Sequence, residues 1–378
     1  MIDVPAAAPQ RSKLYYINMV LILPALASLL TSMWHSRTRS GDFQWWGASQ
    51  MALHTDAYRV VLNGHLELVA KQQMPNYLHE LYVLLWPLGI LKEAHAEAIW
   101  AMCNLMLAAG ALLLLQRIYR LNRERTLLLA CGLMLSEPFR ISMGNGQQSF
   151  LELFCFCLAL AIPARAGWPL GVSYLKYSFA PVTVFFAAFE RCWKQLVISA
   201  IFPVTGWLIF SWFVHRSPLQ TALEPFLVSR HRTDAGMSDL TSIVHIVHQS
   251  WDGLSAVCAL ILSLAVAFLI HRYASSLAQA GAALATAALF LLPHLLYDFV
   301  ILVIPAAYLL SPLSAAMPRS KRIVASAIVI FFAVMALIRL PNTVAVKIAS
   351  IAVFGLLLLV LEAVLLQSFR SSEPPETA

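Results

Sequence analysis

Apolar runs long enough to cross a lipid bilayer recur from one end of this chain to the other. A spanning helix needs about 20 consecutive, mostly apolar residues, because each helical residue rises about 1.5 Å and the hydrocarbon layer is about 30 Å thick. The runs 14–33, 94–118, 195–214, 254–270, 299–316 and 344–366 come within reach of that length. Lipid offers no partner to a bare backbone N–H or C=O, so each run must form a helix, which pairs its own backbone. Composition argues against the soluble alternative: 60% of the residues are hydrophobic and 12% are charged, against about 45–50% and about 25% in a soluble domain. The sequence therefore predicts an all-α polytopic membrane protein with about ten spanning helices plus interfacial and broken ones. They form a single integral-membrane domain over residues 1–378.

Basic residues collect on the cytoplasmic side of a membrane protein, and they orient this one. Arg11 and Lys13 precede the first run. That run is longer than the apolar part of a secretory signal, and no small-residue cleavage pattern follows it, so it reads as an uncleaved helix. The polar loop 35–94 then lies outside, which in a bacterium is the outer side of the inner membrane. Within it, 77–91 is apolar but short and interrupted by Pro87 and Gly89. Laid in the outer interface, it leaves the basic stretch Arg117, Arg120, Arg123 and Arg125 inside. The runs 126–139 and 149–164 form an outward and an inward helix. The segment 168–189 has cytoplasmic-type basic residues at both ends, Arg165 before it and Arg191 and Lys194 after it. A helix cannot start and end on one side, so two half-helices are expected to meet near Lys176 and Pro181, as in membrane helices that line a site. A second outer loop covers 215–252, with an amphipathic surface helix at 240–248. The runs 277–292, 299–316, 323–338 and 344–366 complete the fold, and the polar tail 370–378 reads as cytoplasmic and disordered.

The net charge of +7 fits these loops. No basic run is interleaved with exposed aromatics on a soluble module, so nucleic acid is not an expected partner. The six cysteines have no CxxC spacing and read as buried and reduced.

On this topology the polar residues converge on the outer side. Asp42, Asn76, His79 and Glu80 come from the first loop, and Asn145, Gln147 and Gln148 from the turn before 149. Lys176 comes from the broken helix, and His294, Tyr297 and Asp298 from the turn after 292. Ionisable groups at membrane depth are costly and point to function. Each also has a structural reading. Asp42 would cap a helix starting at Phe43, Lys176 would snorkel, Gln147 and Gln148 would cap the following helix, and His294 and Asp298 would pack or pair. His79 and Glu80 fit interface residues, and Trp45 and Trp46 fit an aromatic belt. No HxxxH, HExxH or DxD pattern is present, and neither a metal nor a cofactor is expected.

Five motifs, in order, carry a resemblance. They are Asp42-Phe43 soon after the first helix, the interfacial NYLHELYVLLWPLGIL, Gly146-Gln147, the step from Gly171 to Lys176, and PHLLYDFVILVIPA. Together they resemble the GT-C integral-membrane glycosyltransferases, and among them family 87, which uses polyprenyl-phosphate mannose. Two positions depart from that pattern: Asn76-Tyr77-Leu78 replaces Tyr-Pro-Pro, and Lys176 is followed by Tyr177, with Pro181 later. The resemblance implies a GT-C-like bundle and an inverting transfer of a hexose from a polyprenyl-phosphate sugar to a glycolipid or glycan. It assigns Asp42 as general base and Lys176 with His294 as contacts to the donor phosphate. Asn76, His79, Gln147, Tyr297 and Asp298 would contact substrate. Two other classes stay open: a transporter or lipid flippase, in which paired repeats are common but are not seen here, and a non-catalytic assembly partner.

Overall fold

The computed structural model describes residues 12–39, 43–229, 236–335 and 343–366. Asp42, the charged positions 230–234 and the tail 370–378 lie outside them. Among the described residues every regular element is helical. Five helices have the length and composition to cross a bilayer: α1 (Lys13–Arg39), α5 (Glu93–Ile118), α11 (Trp193–Phe213), α15 (Asp252–Tyr273) with the turn before it, and α19 (Val344–Leu366). Only 11% to 33% of their apolar windows is buried inside the protein. The remainder, with side chains such as Leu23 at 75% exposure, is a surface suited to lipid and not to water. The chain is an α-helical, multi-pass membrane protein.

One bent helix pair has, taken together, the length and composition of a further span or of a re-entrant loop. Helices α6 (Arg123–Leu135) and α7 (Glu137–Gly144) meet at 63°. Asn122 caps α6 by accepting from the Arg125 amide at 2.9 Å. Ser136 ends α6 and caps α7 through the Phe139 amide. Pro138 explains the restart: it has no N–H to continue α6, but the first turn of a new helix needs none from it.

The other apolar runs are shorter helices, so ten full-length crossings are not seen among the described residues. They include α8 (Ser149–Ala161), α16 (Leu277–Leu291) and α17 (Val303–Leu310). Every residue of α16 from Gln279 to Leu289 is buried. At about 1.5 Å per residue, its 15 residues fall short of a bilayer. A helix that is apolar all round belongs inside a bundle, where it need not reach either surface. It packs against α15, α17 and α19.

The segment 168–189 is broken. Helix α9 (Gly167–Ser173) stops, Lys176 is extended, and a 3-10 turn at Tyr177–Phe179 leads into α10 (Ala180–Phe189). Gly171 permits the close passage of α9 along α11, since a Cβ there would lie 2.6 Å from the Ser199 carbonyl. The loop between α1 and α5 folds into α2 (Trp45–Ala52), α3 (Ala57–Leu62) and α4 (His79–Gly89). Helix α4 has 11 residues, too few to cross, and it lies against α2 and α11. Between α11 and α15 the chain forms α12 (Pro218–Thr221), α13 (Glu224–Ser229) and α14 (Leu240–Val247), and α18 (Arg319–Val334) precedes α19.

Candidate active site at the break of a membrane helix

The turn between α7 and α8 organises the site. Gly146 sits at φ 68°, a left-handed conformation that glycine adopts without steric cost. Two residues one turn apart on α5 grip this turn. Trp100 donates its indole N–H to the Gly146 carbonyl at 2.8 Å, and Asn104 donates to the Gln147 carbonyl at 3.1 Å. The first loop is tied to the same place. The Gln148 amide donates to the Phe43 carbonyl at 2.8 Å, and the Phe43 ring stacks on Trp100 at 5.5 Å. The Tyr77 hydroxyl donates to Gln147 Oε1 at 3.2 Å.

Lys176 stands at the break. The Leu175 carbonyl, outside any helix, accepts from the Leu78 amide at 3.1 Å, which brings the entrance of α4 to the break. The Lys176 ammonium pairs with Asp298 and lies 4.8 Å from the Tyr297 ring centre, within cation–π range. The Asp298 side chain is fully buried, whereas that of Lys176 keeps 12% exposure. Two further donors hold the carboxylate: the Ser149 hydroxyl at 2.9 Å and the Leu295 amide at 3.0 Å. One buried charge thus joins the start of α8, the helix break and the 3-10 turn Leu296–Leu302. Such a pair persists in a dry interior only when hydrogen bonds satisfy what the partner does not.

Glu152, one turn beyond Ser149, completes the group. It is buried, neither carboxylate oxygen has a hydrogen-bond partner among the described residues, and it interacts electrostatically with Lys176 and Asp298. Sequence reasoning missed it. The available signal was a carboxylate inside the apolar run SFLELFCFCLALA, which is the membrane-depth charge that marks function. Beside the break lies a cavity of about 460 Å³, whose walls combine Tyr177, Leu223, Phe226 and Pro293 with Thr241, His245 and Asp252.

The structure brings Gln147, Lys176, Tyr297 and Asp298 into this one region. Other residues expected at the site make different contacts. His294 Nε2 lies 3.0 Å from the Ser178 hydroxyl and Nδ1 lies 2.9 Å from the Leu292 carbonyl, with the ring edge-on to Phe179. The His79 ring packs between Tyr58 and Phe210, with centroids at 5.0 and 4.9 Å. Burial pushes its pKa down to about 4, against the pull of Asp56 and a hydrogen bond to the Thr221 backbone. Burial pushes the neighbouring Glu80 up to about 8. Asn76 is half-buried, and its Oδ1 has no partner among the described residues. Asp42 is outside the description, one residue from the anchored Phe43.

A second ionic cluster fastens the two polar loops together. Arg216 bridges Asp56, which caps α3, and Glu224, the first residue of α13. Burial and the nearby Asp56 push Glu224 up to about 7, although Arg216 opposes them. Compared with protein families, characterised proteins and solved structures, the chain matches none of them.

Proposed function

We propose that the chain is an inverting glycosyltransferase of GT-C type. It moves a hexose, mannose in our reading, from a polyprenyl-phosphate sugar to a glycolipid or glycan acceptor at the outer face of a bacterial inner membrane. Both termini are cytoplasmic in this reading, and the shorter buried helices complete the bundle. One observation carries the reading: a lysine stands where a helix is broken, among aromatic faces and beside a cavity lined by both apolar and polar side chains.

The chemistry needs few groups. An acceptor hydroxyl is a weak nucleophile, and a carboxylate within hydrogen-bond reach removes its proton as it attacks. Asp42 is assigned that role. The hydroxyl oxygen bonds to C1 of the sugar from the face opposite the phosphate. The C1–O bond breaks, and the lipid phosphate leaves with the electron pair. Lys176 offers a fixed positive charge to that phosphate, which competes with Asp298 for the ammonium. Asp298 keeps Ser149 and Leu295 as donors. Gln147, Tyr77 and Tyr297 line the approach, His294 supports the segment after Lys176, and Asn76 and His79 belong to the α4 entrance. The cavity beside Tyr177 takes the start of the polyprenyl chain.

The test uses purified protein in lipid vesicles with a set of polyprenyl-phosphate sugars, read by the mass of the product lipid. Wild type transfers sugar, and Asp42→Asn loses about 10²–10⁴-fold in rate with normal membrane insertion. Near wild-type transfer by Asp42→Asn removes Asp42 as the base, and no transfer from any donor removes the reading. The unpartnered Glu152 favours a second reading, a proton-linked transporter or flippase. That activity would move lipid across the vesicle without breaking the sugar–phosphate bond.

A further inference from the structure

A second cavity, of about 460 Å³, lies at the opposite end of the bundle from Lys176. It is enclosed by the last residues of α8, α10 and α15 and the first residues of α9, α11 and α16. Its depth is apolar, with Phe156, Leu170, Phe186, Ile270 and Leu284 in the walls. Four basic residues stand next to its lining in the sequence. Arg165 precedes the lining residue Ala166, Arg191 stands between the lining Glu190 and Cys192, Lys194 precedes Gln195, and Arg272 follows His271. All four basic residues are exposed, and none forms an ion pair among the described residues. The carboxylate at the mouth, Glu190, lies 2.7 Å from His271 Nδ1. A neighbouring pocket shares Leu160 and Leu277 and includes Arg117.

Two exposed tryptophans fix the depth of this mouth. Trp168 and Trp193, at 48% and 61% exposure, flank the same segments, and exposed tryptophan in a membrane protein settles at headgroup level. An apolar well at headgroup depth, with four exposed cations adjoining its lining residues, has the chemistry of one ligand class. We propose that it binds an anionic phospholipid, with one acyl chain in the well and the phosphate among Arg165, Arg191, Lys194 and Arg272. Basic pockets between membrane helices hold such headgroups through the charge that a zwitterionic lipid lacks. The site stands independently of the proposed transfer reaction, because it shares no residue with the Lys176 region.

The experiment places the full chain in nanodiscs of phosphatidylcholine with trace spin-labelled phosphatidylglycerol or spin-labelled phosphatidylcholine. The immobilised fraction of each label gives their relative affinities. Wild type prefers phosphatidylglycerol. The triple variant Arg191→Gln, Lys194→Gln, Arg272→Gln changes only exposed side chains and loses that preference by about 100-fold, at about fivefold per cation. A control variant with the same charge change elsewhere, Arg319→Gln, Lys321→Gln, Arg322→Gln, keeps it. Ala187→Phe, which fills the well and leaves the cations, weakens both labels. Equal loss in the control, or no preference in wild type, overturns the proposal. Displacement by glycerophosphate as effective as that by phosphatidylglycerol overturns the commitment to a lipid.

Discussion

Lys176→Met tests the central ion pair. Methionine keeps an unbranched apolar stem and removes the ammonium. Asp298 then stays fully buried with a negative charge, holding only the Ser149 hydroxyl and the Leu295 amide of the three partners described. Breaking a buried pair from one side costs about 3–5 kcal/mol. The two remaining hydrogen bonds place this case near the lower end, at about 3 kcal/mol. Asp298→Asn costs less, about 1–2 kcal/mol, because its amide oxygen still accepts from Leu295 and Lys176 retains some exposure. The double variant buries no charge at this point and recovers about half or more of the Lys176→Met loss, so the coupling is about 3 kcal/mol. The assay is denaturant unfolding in detergent micelles of all four members of the cycle, followed by circular dichroism. A Lys176→Met loss below about 1 kcal/mol, or additivity within about 0.5 kcal/mol, refutes the pair as the joint between α8, the helix break and the turn at Asp298.

Three further outcomes follow from named contacts. Glu80, pushed up to about 8 from an ordinary 4.5, keeps in the folded chain a proton that the unfolded chain releases. The resulting stability is complete below about pH 4 and is lost as pH rises through about 8; unfolding measured from pH 4 to 9 shows that decline, and Glu80→Gln flattens it. Arg216→Met leaves Asp56 and Glu224 facing each other, both almost fully buried. It costs roughly 3 kcal/mol at pH 8 and less at pH 5, where Glu224 takes up a proton, as paired unfolding curves will show. Gly171→Val drives a Cβ to 2.6 Å from the Ser199 backbone carbonyl, so α9 must move off α11. A loss of about 1–3 kcal/mol and freer motion of a spin label replacing the exposed Trp168 of α9 are expected, and an unchanged spectrum counts against that packing.

Much of this arrangement was legible one segment at a time. Five long apolar runs became α1, α5, α11, α15 and α19, whereas 299–316 is 3-10 backbone at both ends around the short α17. The short run with Pro87 and Gly89 became the 11-residue α4. The segment with basic residues at both ends is broken at Lys176. The turn glycine Gly146 also stands where the sequence placed a turn. The count of crossings was not legible, and neither was the role of Glu152. His294 carried the same polar signal as Asp298, yet its imidazole faces Ser178 and Leu292.

The sequence by itself determined that this is a helical membrane protein, and that the segment 168–189 is broken. Lipid charges each segment separately for every polar group it contains, so composition, proline and charge decide those features locally. Only the tertiary structure decided which apolar runs stay inside the bundle, as α16 does, and which face lipid. It alone paired Lys176 with Asp298 across 122 positions of sequence and set Glu152 beside them. Those contacts depend on how helices pack against one another, and no local pattern of residues encodes that packing.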